Sequence, residues 1–139
     1  MTDAASPVLA AQTAIGDAAE LVRKAKRAVA LTGAGISTPS GIPDFRSEGT
    51  GLWSRDEPLE VASLDTFRTA PERFFRWFRP LAGQIFYASP NPAHRALAQL
   101  EQEGSIKTII TQNIDGLHQK AGSTCWSTKY RPSGPSATR

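Results

Sequence analysis

The sequence predicts an α/β protein with a Rossmann-like open parallel sheet and flanking helices. The first observation behind this prediction is that an amphipathic helical segment precedes a short apolar strand twice along the 139 residues. The second is that a polar loop follows each strand, at the edge where open parallel sheets bind ligands. The two loops are therefore the candidate functional segments.

The first helix-to-strand unit lies near the start of the chain. Residues 10–27, AAQTAIGDAAELVRKAKR, predict an amphipathic helix, because small and apolar positions recur at helical spacing and the opposite face is charged. Residues 28–31 are apolar and predict a buried parallel strand. That strand opens into a turn that contains Gly33 and Gly35.

The second unit lies in the last third of the chain. Asn91 and Pro92 fit the N-cap and first turn of a helix, and Gly104 fits its C-terminal stop. Residues 106–113, IKTIITQN, predict a second buried strand. Residues 115–120 then begin another helix.

The segment between the two units has two parts. Residues 36–56 are crowded with Ser, Gly and Pro, so they predict a long loop rather than one regular element. A helix then begins at Thr69 or Pro71 and carries an aromatic cluster. We interpret the cluster as core packing between helices, with a stacking platform for nucleic-acid bases as the less favoured alternative. Its members are Phe74, Phe75, Trp77 and Phe78.

Composition argues against several classes of protein. Hydrophobic residues make up 40% and charged residues 21% of the chain, which is ordinary globular usage. The net charge is +3, and the chain has no run of five or six like charges, so no specific nucleic-acid binding is predicted. The single Cys125 excludes an internal disulfide and a cysteine-based zinc site. Without a long apolar run or a secretory leader, we expect a cytoplasmic protein with no membrane partner.

Both loops contain residues that suit nucleotide binding or catalysis, and each has a plainer interpretation. Gly33 and Gly35 would let backbone N–H groups approach a diphosphate, but GAG after a strand is also an ordinary tight turn. His118 could act as a base near neutral pH, or only cap or pack against a helix. Three further side chains suit a carboxamide: Gln112, Asn113 and Asp115.

Two longer segments together resemble the signature motifs of one family. GAGISTPSGIPDFRS, residues 33–47, and TQNIDGLHQKAG, residues 111–122, are similar to the two signature blocks of the sirtuins, the NAD-dependent protein deacylases. The likeness includes NPAHRALAQLE and covers the front part of a sirtuin catalytic domain. It implies that NAD is a co-substrate and that acetylated or acylated lysine proteins are the partners.

The resemblance implies binding roles for residues of both blocks. The NAD diphosphate would be cradled by Gly33, Ala34, Gly35 and Ser37. A mobile loop would close over the nicotinamide ribose with Pro43, Asp44, Phe45 and Arg46. The ribose and nicotinamide would be contacted by Gln112, Asn113, Ile114 and Asp115.

The resemblance also implies the catalytic residues: Asn113 and Asp115, which would hold the nicotinamide carboxamide, and His118, the general base. The acetyl-lysine oxygen would attack the ribose carbon as nicotinamide leaves, giving O-acetyl-ADP-ribose and free lysine. His118 would take a ribose hydroxyl proton, a role that contributes about 10²- to 10⁴-fold. His94, on the NPAHRALAQLE helix, is interpreted as structural.

The chain departs from the sirtuin pattern after Gly122. A sirtuin continues with a zinc module of two cysteine pairs and further strands, so the predicted fold is incomplete; zinc is expected for the full family domain, and no metal site is predicted here. We divide the chain into a flexible tail, 1–8, part of a catalytic domain, 9–122, and a divergent, disordered tail, 123–139. Shifted codons from residue 123 permit His-Val-Leu-Glu-Tyr, which makes a frameshift one hypothesis for this tail.

The predicted function is a sirtuin-type NAD-dependent protein deacetylase or deacylase, truncated and with little or no activity as this chain alone. Two alternatives stay open at this point. One is a non-catalytic NAD-binding module, and the other is the inactive remnant of a frameshifted gene. These residues do not predict the preferred acyl group, the target proteins or the oligomeric state.

Overall fold

Three parallel strands organise the fold. The computed structural model describes residues 7–49, 51–54 and 57–128. The strands follow the order β1 (Ala28–Thr32), β2 (Ile106–Thr111) and β3 (Trp126–Thr128). The helices of these residues are α1 (Pro7–Lys24), α2 (Pro58–Val61), α3 (Leu64–Thr69), α4 (Pro71–Tyr87), α5 (Pro92–Gln102) and α6 (Leu117–Lys120). The predicted open parallel sheet with flanking helices is thereby confirmed.

The register of β1 and β2 brings the two predicted loops together. Leu31 lies beside Ile110 and Thr32 beside Thr111, so both strands end at the same level. The pairing continues one step further, because the Gln112 amide donates to the Thr32 carbonyl over 3.2 Å. The glycine turn after β1 and the polar loop after β2 therefore leave the sheet side by side.

Helix α5 begins and ends where the sequence predicts. The Asn91 carboxamide oxygen accepts from the amides of Ala93 and His94 at 2.9 and 3.4 Å. The same side chain donates to the Ile36 carbonyl over 2.8 Å, which ties the start of α5 to the segment after β1. At the other end, Gly104 takes a φ of +77°, a left-handed conformation that favours glycine. Helix α5 packs against β2.

The aromatic helix α4 begins at Pro71, the second of the two predicted starts. The aromatic cluster of α4 packs against the hydrophobic core beneath the two loops and does not form a separate aromatic surface. Trp77 and Phe78 pack against this core, and Phe74 stacks on Phe78 with ring centroids 5.7 Å apart. The interpretation as core packing holds for these rings, whereas Phe75 is 44% exposed. The buried members of the core are Ile42, Leu81, Ala88 and Leu117.

The two faces of the sheet differ sharply in exposure. Ile109 of β2 is completely buried on the face where α5 lies. On the opposite face, Val29, Leu31 and Ile110 are 50%, 78% and 41% exposed. Among the described residues, no helix is both long and apolar enough to cross a membrane.

Regular structure differs from the sequence prediction in three places. Helix α1 starts at Pro7, inside the predicted tail 1–8, and residues 1–6 lie outside the described residues. The predicted loop of residues 36–56 opens within a 3-10 helix, Ala34–Ser40.

The third difference concerns the predicted disordered tail from residue 123. Its first part forms β3 beside β2, and the Ile109 amide donates to the Cys125 carbonyl over 3.0 Å. The segment before the strand is held by the buried carboxylate of Glu101, which accepts from the amides of Thr124 and Cys125 at 2.8 and 2.7 Å. These bonds order residues 123–128 although their Ser- and Thr-rich composition is typical of a loop. Residues 129–139 of the same prediction lie outside the described residues.

Candidate functional site

A buried polar network joins the two loops at the carboxyl ends of β1 and β2. The Ser37 hydroxyl donates to Asp115 Oδ2 over 2.6 Å. Asn113 Nδ2 donates to the Gly33 carbonyl over 3.0 Å and to Ser37 Oγ over 3.2 Å. Ser37 and Asp115 are only 1% and 8% exposed. These bonds fix the predicted diphosphate turn against the predicted carboxamide loop.

The backbone around Asp115 explains how the loop reaches this position. Asp115 Oδ1 accepts from the Leu117 amide over 2.9 Å and so satisfies the first N–H of α6. Gly116 adopts a φ of +69°, which reverses the chain at little steric cost. The short helix that follows places His118 beneath the end of β1.

His118, on α6, contacts two other elements, β1 and α5. Its Nε2 atom lies 2.9 Å from Thr32 Oγ1, at the end of β1. Its ring also contacts the ring of His94 on α5, with centroids 4.9 Å apart. The side chain is 1% exposed. Burial lowers the pKa of His118 and His94 lowers it further, whereas the carboxylates of Asp115 and Glu101 oppose the shift. The imidazole is therefore neutral at pH 7, which is the form that accepts a proton.

A small apolar cavity of about 60 Å³ lies beside this network and adjoins an open groove of about 680 Å³. Seven residues of the predicted site line the cavity: Ala34, Ser37, Pro43, Phe45, Asn113, Ile114 and Asp115. Four apolar side chains that the sequence did not single out complete it: Ile42, Leu52, Leu81 and Ile85. Few polar groups in an apolar wall are typical of a site that orients a flat, mostly apolar ring.

The loop after Pro43 closes on itself. Asp44 accepts from the Ser47 amide at 3.1 Å and from its hydroxyl at 2.6 Å, and these bonds lower the pKa of Asp44. The Leu52 amide donates to the Asp44 carbonyl over 2.9 Å. A Cβ atom on Gly51 would lie 2.6 and 2.7 Å from backbone atoms of Ser47, so the loop requires glycine there.

The remaining predicted residues do not line the cavity. The Gln112 side chain lies over Gly33, where an added Cβ would come within 2.7 Å of Gln112 Nε2. Gly35 faces open space, as an approach to a diphosphate requires. Asp44 lines the groove and not the cavity. Arg46 is exposed, and His118 lies behind the network without lining the cavity.

Two neighbours of His118 were not predicted as site residues. Thr32 has a recognisable position, since it ends a strand and immediately precedes the glycine turn. The sequence analysis interprets His94 as structural. Its contact with His118, 24 positions later, has no sequence signal, because it depends on the packing of α5 against the sheet. In the part of the chain that the structure describes, no group of three metal-ligating side chains could hold a metal ion.

A parallel sheet with a glycine turn and a buried polar network at its carboxyl edge defines a Rossmann-like α/β protein. The model of the Sir2 family matches residues 33–129, which is more than half of the chain. The chain belongs to the Sir2 family.

The chain is similar to curated enzymes of that family. It is 53% identical over 106 residues to "NAD-dependent protein deacetylase 2" of Caldanaerobacter subterraneus subsp. tengcongensis, an alignment that covers 76% of this chain and 42% of that protein. It is 52% identical over 109 residues to "NAD-dependent protein deacylase 2" of Archaeoglobus fulgidus, covering 78% of this chain and 42% of that protein. The chain thus spans about two fifths of the length of these relatives.

The chain is also similar to solved Sir2 structures. A Sir2 structure with a deacetylated p53 peptide and 3'-O-acetyl ADP-ribose has a TM-score of 0.76 and 44% identity, over 81% of this chain and 45% of that one. A Sir2 structure with a p53 peptide and NAD+ has a TM-score of 0.69 and 45% identity, over 81% of this chain and 43% of that one.

Proposed function

We propose that this chain carries the nicotinamide and ribose part of the catalytic site of an NAD-dependent protein lysine deacylase. The observation that carries the proposal is the Asn113–Ser37–Asp115 network beside the cavity, with a neutral His118 behind it. Membership of the Sir2 family supports it, as do the names of the curated relatives.

The residues present fit NAD as the co-substrate. Asn113 and Asp115 offer a carboxamide both donors and acceptors at the wall of the cavity, where Ile114 and Phe45 would cover a nicotinamide ring. Gly35 leaves the backbone accessible to a diphosphate. The Sir2 structures that are similar to this chain contain NAD+ or acetyl ADP-ribose, which supports the same assignment.

His118 is the residue that would move a proton. Its Nδ1 atom is buried and has no hydrogen-bond partner among the described residues, while Nε2 is engaged by Thr32. After the acetyl-lysine oxygen has attacked the ribose carbon and nicotinamide has left, a neutral imidazole would accept a ribose hydroxyl proton, so that the intermediate can advance. Acetylated or otherwise acylated lysine proteins would be the substrates.

We expect the 139 residues alone to turn over little or no substrate, because the aligned segment covers only 42% of each of the two enzymes it matches. The decisive assay therefore uses a chimera in which residues 9–122 replace the matching segment of the Caldanaerobacter deacetylase. We expect the chimera to release nicotinamide from NAD when an acetyl-lysine peptide is present. His118→Ala is expected to reduce the rate about 10²- to 10⁴-fold, since it removes the base.

Arg95→Ala, at an exposed position of α5, serves as the control and is expected to retain the rate. A chimera that unfolds cooperatively but releases no nicotinamide would contradict the proposal. Turnover by the isolated 139-residue chain, lost on His118→Ala, would contradict only the expectation that the chain alone is inactive.

A further inference from the structure

Helices α3 and α4 leave three large apolar side chains exposed. Leu64 and Phe67 of α3 are 61% and 43% exposed, and Phe75 is the member of the α4 cluster that core packing does not cover. The three residues are contiguous, because the rings of Phe67 and Phe75 make edge contact with centroids 6.0 Å apart and Leu64 lies one helical turn before Phe67. Single exposed apolar residues are ordinary, whereas a contiguous group marks a surface that binds a partner. We call these three residues the apolar patch.

The apolar patch is held in place by the ring of Phe74. This ring makes edge contacts with Phe67 and Phe75, with centroids 5.2 and 5.5 Å apart. It also stacks on Phe78, which packs against the hydrophobic core. The exposed rings are therefore ordered before any partner arrives, and a surface that is already ordered loses little conformational entropy on binding.

An open depression of about 570 Å³ adjoins the apolar patch on α4. It is lined by Glu72, Phe75, Arg76, Arg79 and Pro80. Arg76 and Arg79 are exposed and have no ion-pair partner among the residues that the structure describes. A guanidinium group presents its donors in a planar fork that matches a carboxylate, and arginine beside aromatic rings is typical of protein-binding surfaces. The depression is suited to carboxylates that lie next to an apolar side chain.

Two features favour an acidic protein segment over a nucleic-acid strand. The exposed rings of Phe67 and Phe75 are inclined by 67° to each other, so they do not form a platform on which successive bases could stack. The carboxylate of Glu72 lies in the same depression and would repel a phosphate backbone, which is charged at every nucleotide. A protein segment can instead place carboxylates only at the arginines and an apolar side chain at the rings.

We propose that the apolar patch and the adjoining arginines bind an acidic segment of a partner protein, with an apolar side chain among its carboxylates. The apolar side chain packs on Phe67 and Phe75, and the carboxylates pair with Arg76 and Arg79. Arg76 also lines the open groove beside the small cavity, so this surface is continuous with the candidate site. The proposal does not depend on NAD binding, because none of these residues belongs to the buried network.

The test measures the fluorescence anisotropy of a labelled peptide mixed with the 139-residue chain. The probe is a fluorescein-labelled peptide of glutamates around a central pair of leucines. The comparison probes are the same peptide with lysines in place of the glutamates, and single-stranded oligothymidine. Arg76→Glu and Arg79→Glu reverse the charge at exposed positions, where substitutions cost little stability. Arg95→Glu, at an exposed position of α5, is the matched control.

We expect saturable binding of the glutamate peptide that weakens as the salt concentration rises. Arg76→Glu and Arg79→Glu should each weaken binding about tenfold, whereas Arg95→Glu should leave it unchanged. Phe75→Ser should also weaken binding about tenfold, and Phe75→Leu should weaken it less, because leucine keeps an apolar surface. Glu72→Gln should strengthen binding about threefold, because it removes a like charge from the depression.

Absence of binding to the glutamate peptide, or equal weakening by Arg76→Glu and Arg95→Glu, would overturn the proposal. Tighter binding of oligothymidine than of the peptide would also overturn it and assign the surface to nucleic acid. Light scattering of the free chain tests the remaining occupant, since a dimer that Phe75→Ser dissociates would show that the patch joins two copies of this chain instead. If Phe75→Ser does not fold, the arginine variants and Glu72→Gln decide, because they change only exposed side chains.

Discussion

Replacing Glu101 by alanine is expected to release residues 123–128 from the sheet and to lower the free energy of unfolding by about 3 kcal/mol. The Glu101 carboxylate is buried and accepts from the amides of Thr124 and Cys125, from the Thr124 hydroxyl and from the Ser123 hydroxyl. Its loss leaves these donors without their acceptor. Chemical denaturation measures the stability, and hydrogen exchange of the Ile109 amide, which donates to Cys125, reports on β3.

Glu103→Ala is the matched control for this change. Glu103 is exposed, and its carboxylate accepts from Gln99 across one helical turn. A surface pair of this kind contributes a few tenths of a kcal/mol. Equal losses of stability for Glu101→Ala and Glu103→Ala would show that the buried carboxylate does not hold the segment.

The pH dependence of the free energy of unfolding is a second test of the role of Glu101. Burial alone would raise the pKa of Glu101, but the bonds from Ser123, Cys125 and Thr124 outweigh it and leave the pKa lowered. A carboxyl group with a lowered pKa stabilises the fold above its unfolded value, about 4.3, and loses this contribution as the pH falls through the folded value. Glu101→Gln should therefore reduce stability at pH 7 and flatten the loss of stability below about pH 4.3.

Asp115→Ala is expected to have the second large effect, a loss of about 2 to 3 kcal/mol in the free energy of unfolding. Asp115 accepts from the Ser37 hydroxyl and from the Leu117 amide. In the alanine variant, both donors would be buried and would have lost this acceptor. Asp115→Asn retains one acceptor and should lose less. Denaturant titration of both variants measures the difference.

The control for Asp115 is Asp65→Ala, an exposed acidic residue in the first turn of α3. It should change stability by only a few tenths of a kcal/mol. An Asp115→Ala variant as stable as Asp65→Ala would mean that the network between the two loops contributes little to folding.

Local sequence predicted the elements whose signals are local. The N-cap at Asn91, the stop at Gly104 and the apolar run before Gly33 each act within a few residues, and each is found in the structure. The second strand and the polar loop that follows it were predicted for the same reason. Parallel pairing then follows from the order of helix and strand.

Long-range contacts could not be predicted in the same way. In the sequence, Glu101 looks like one of the charged residues on the exposed face of a helix. Its hydrogen-bond partners lie more than 20 residues later, in a segment rich in Ser and Thr. Trp126 and Thr128 are residue types that favour strands, but a run of three residues is too short to predict one, and the strand forms where β2 provides a partner. His94 and His118 meet only after α5 has packed on the sheet.

The candidate site falls between these two cases. Ser37, Asn113 and Asp115 were predicted for the site as members of two motifs, and the structure brings them into one network. The direction of the Ser37 hydroxyl, toward Asp115 rather than outward from the turn, depends on the register of β1 and β2. The binding roles of these residues remain predictions.

An NMR titration of the ¹⁵N-labelled 139-residue chain with NAD tests most directly whether the two loops form one nucleotide site. We predict saturable shifts of the backbone amides at residues 33–37 and 112–118, with Lys107 on the far end of β2 unaffected, and loss of these shifts in Asp115→Ala. A folded protein whose amides in these two segments do not respond to millimolar NAD would contradict the account.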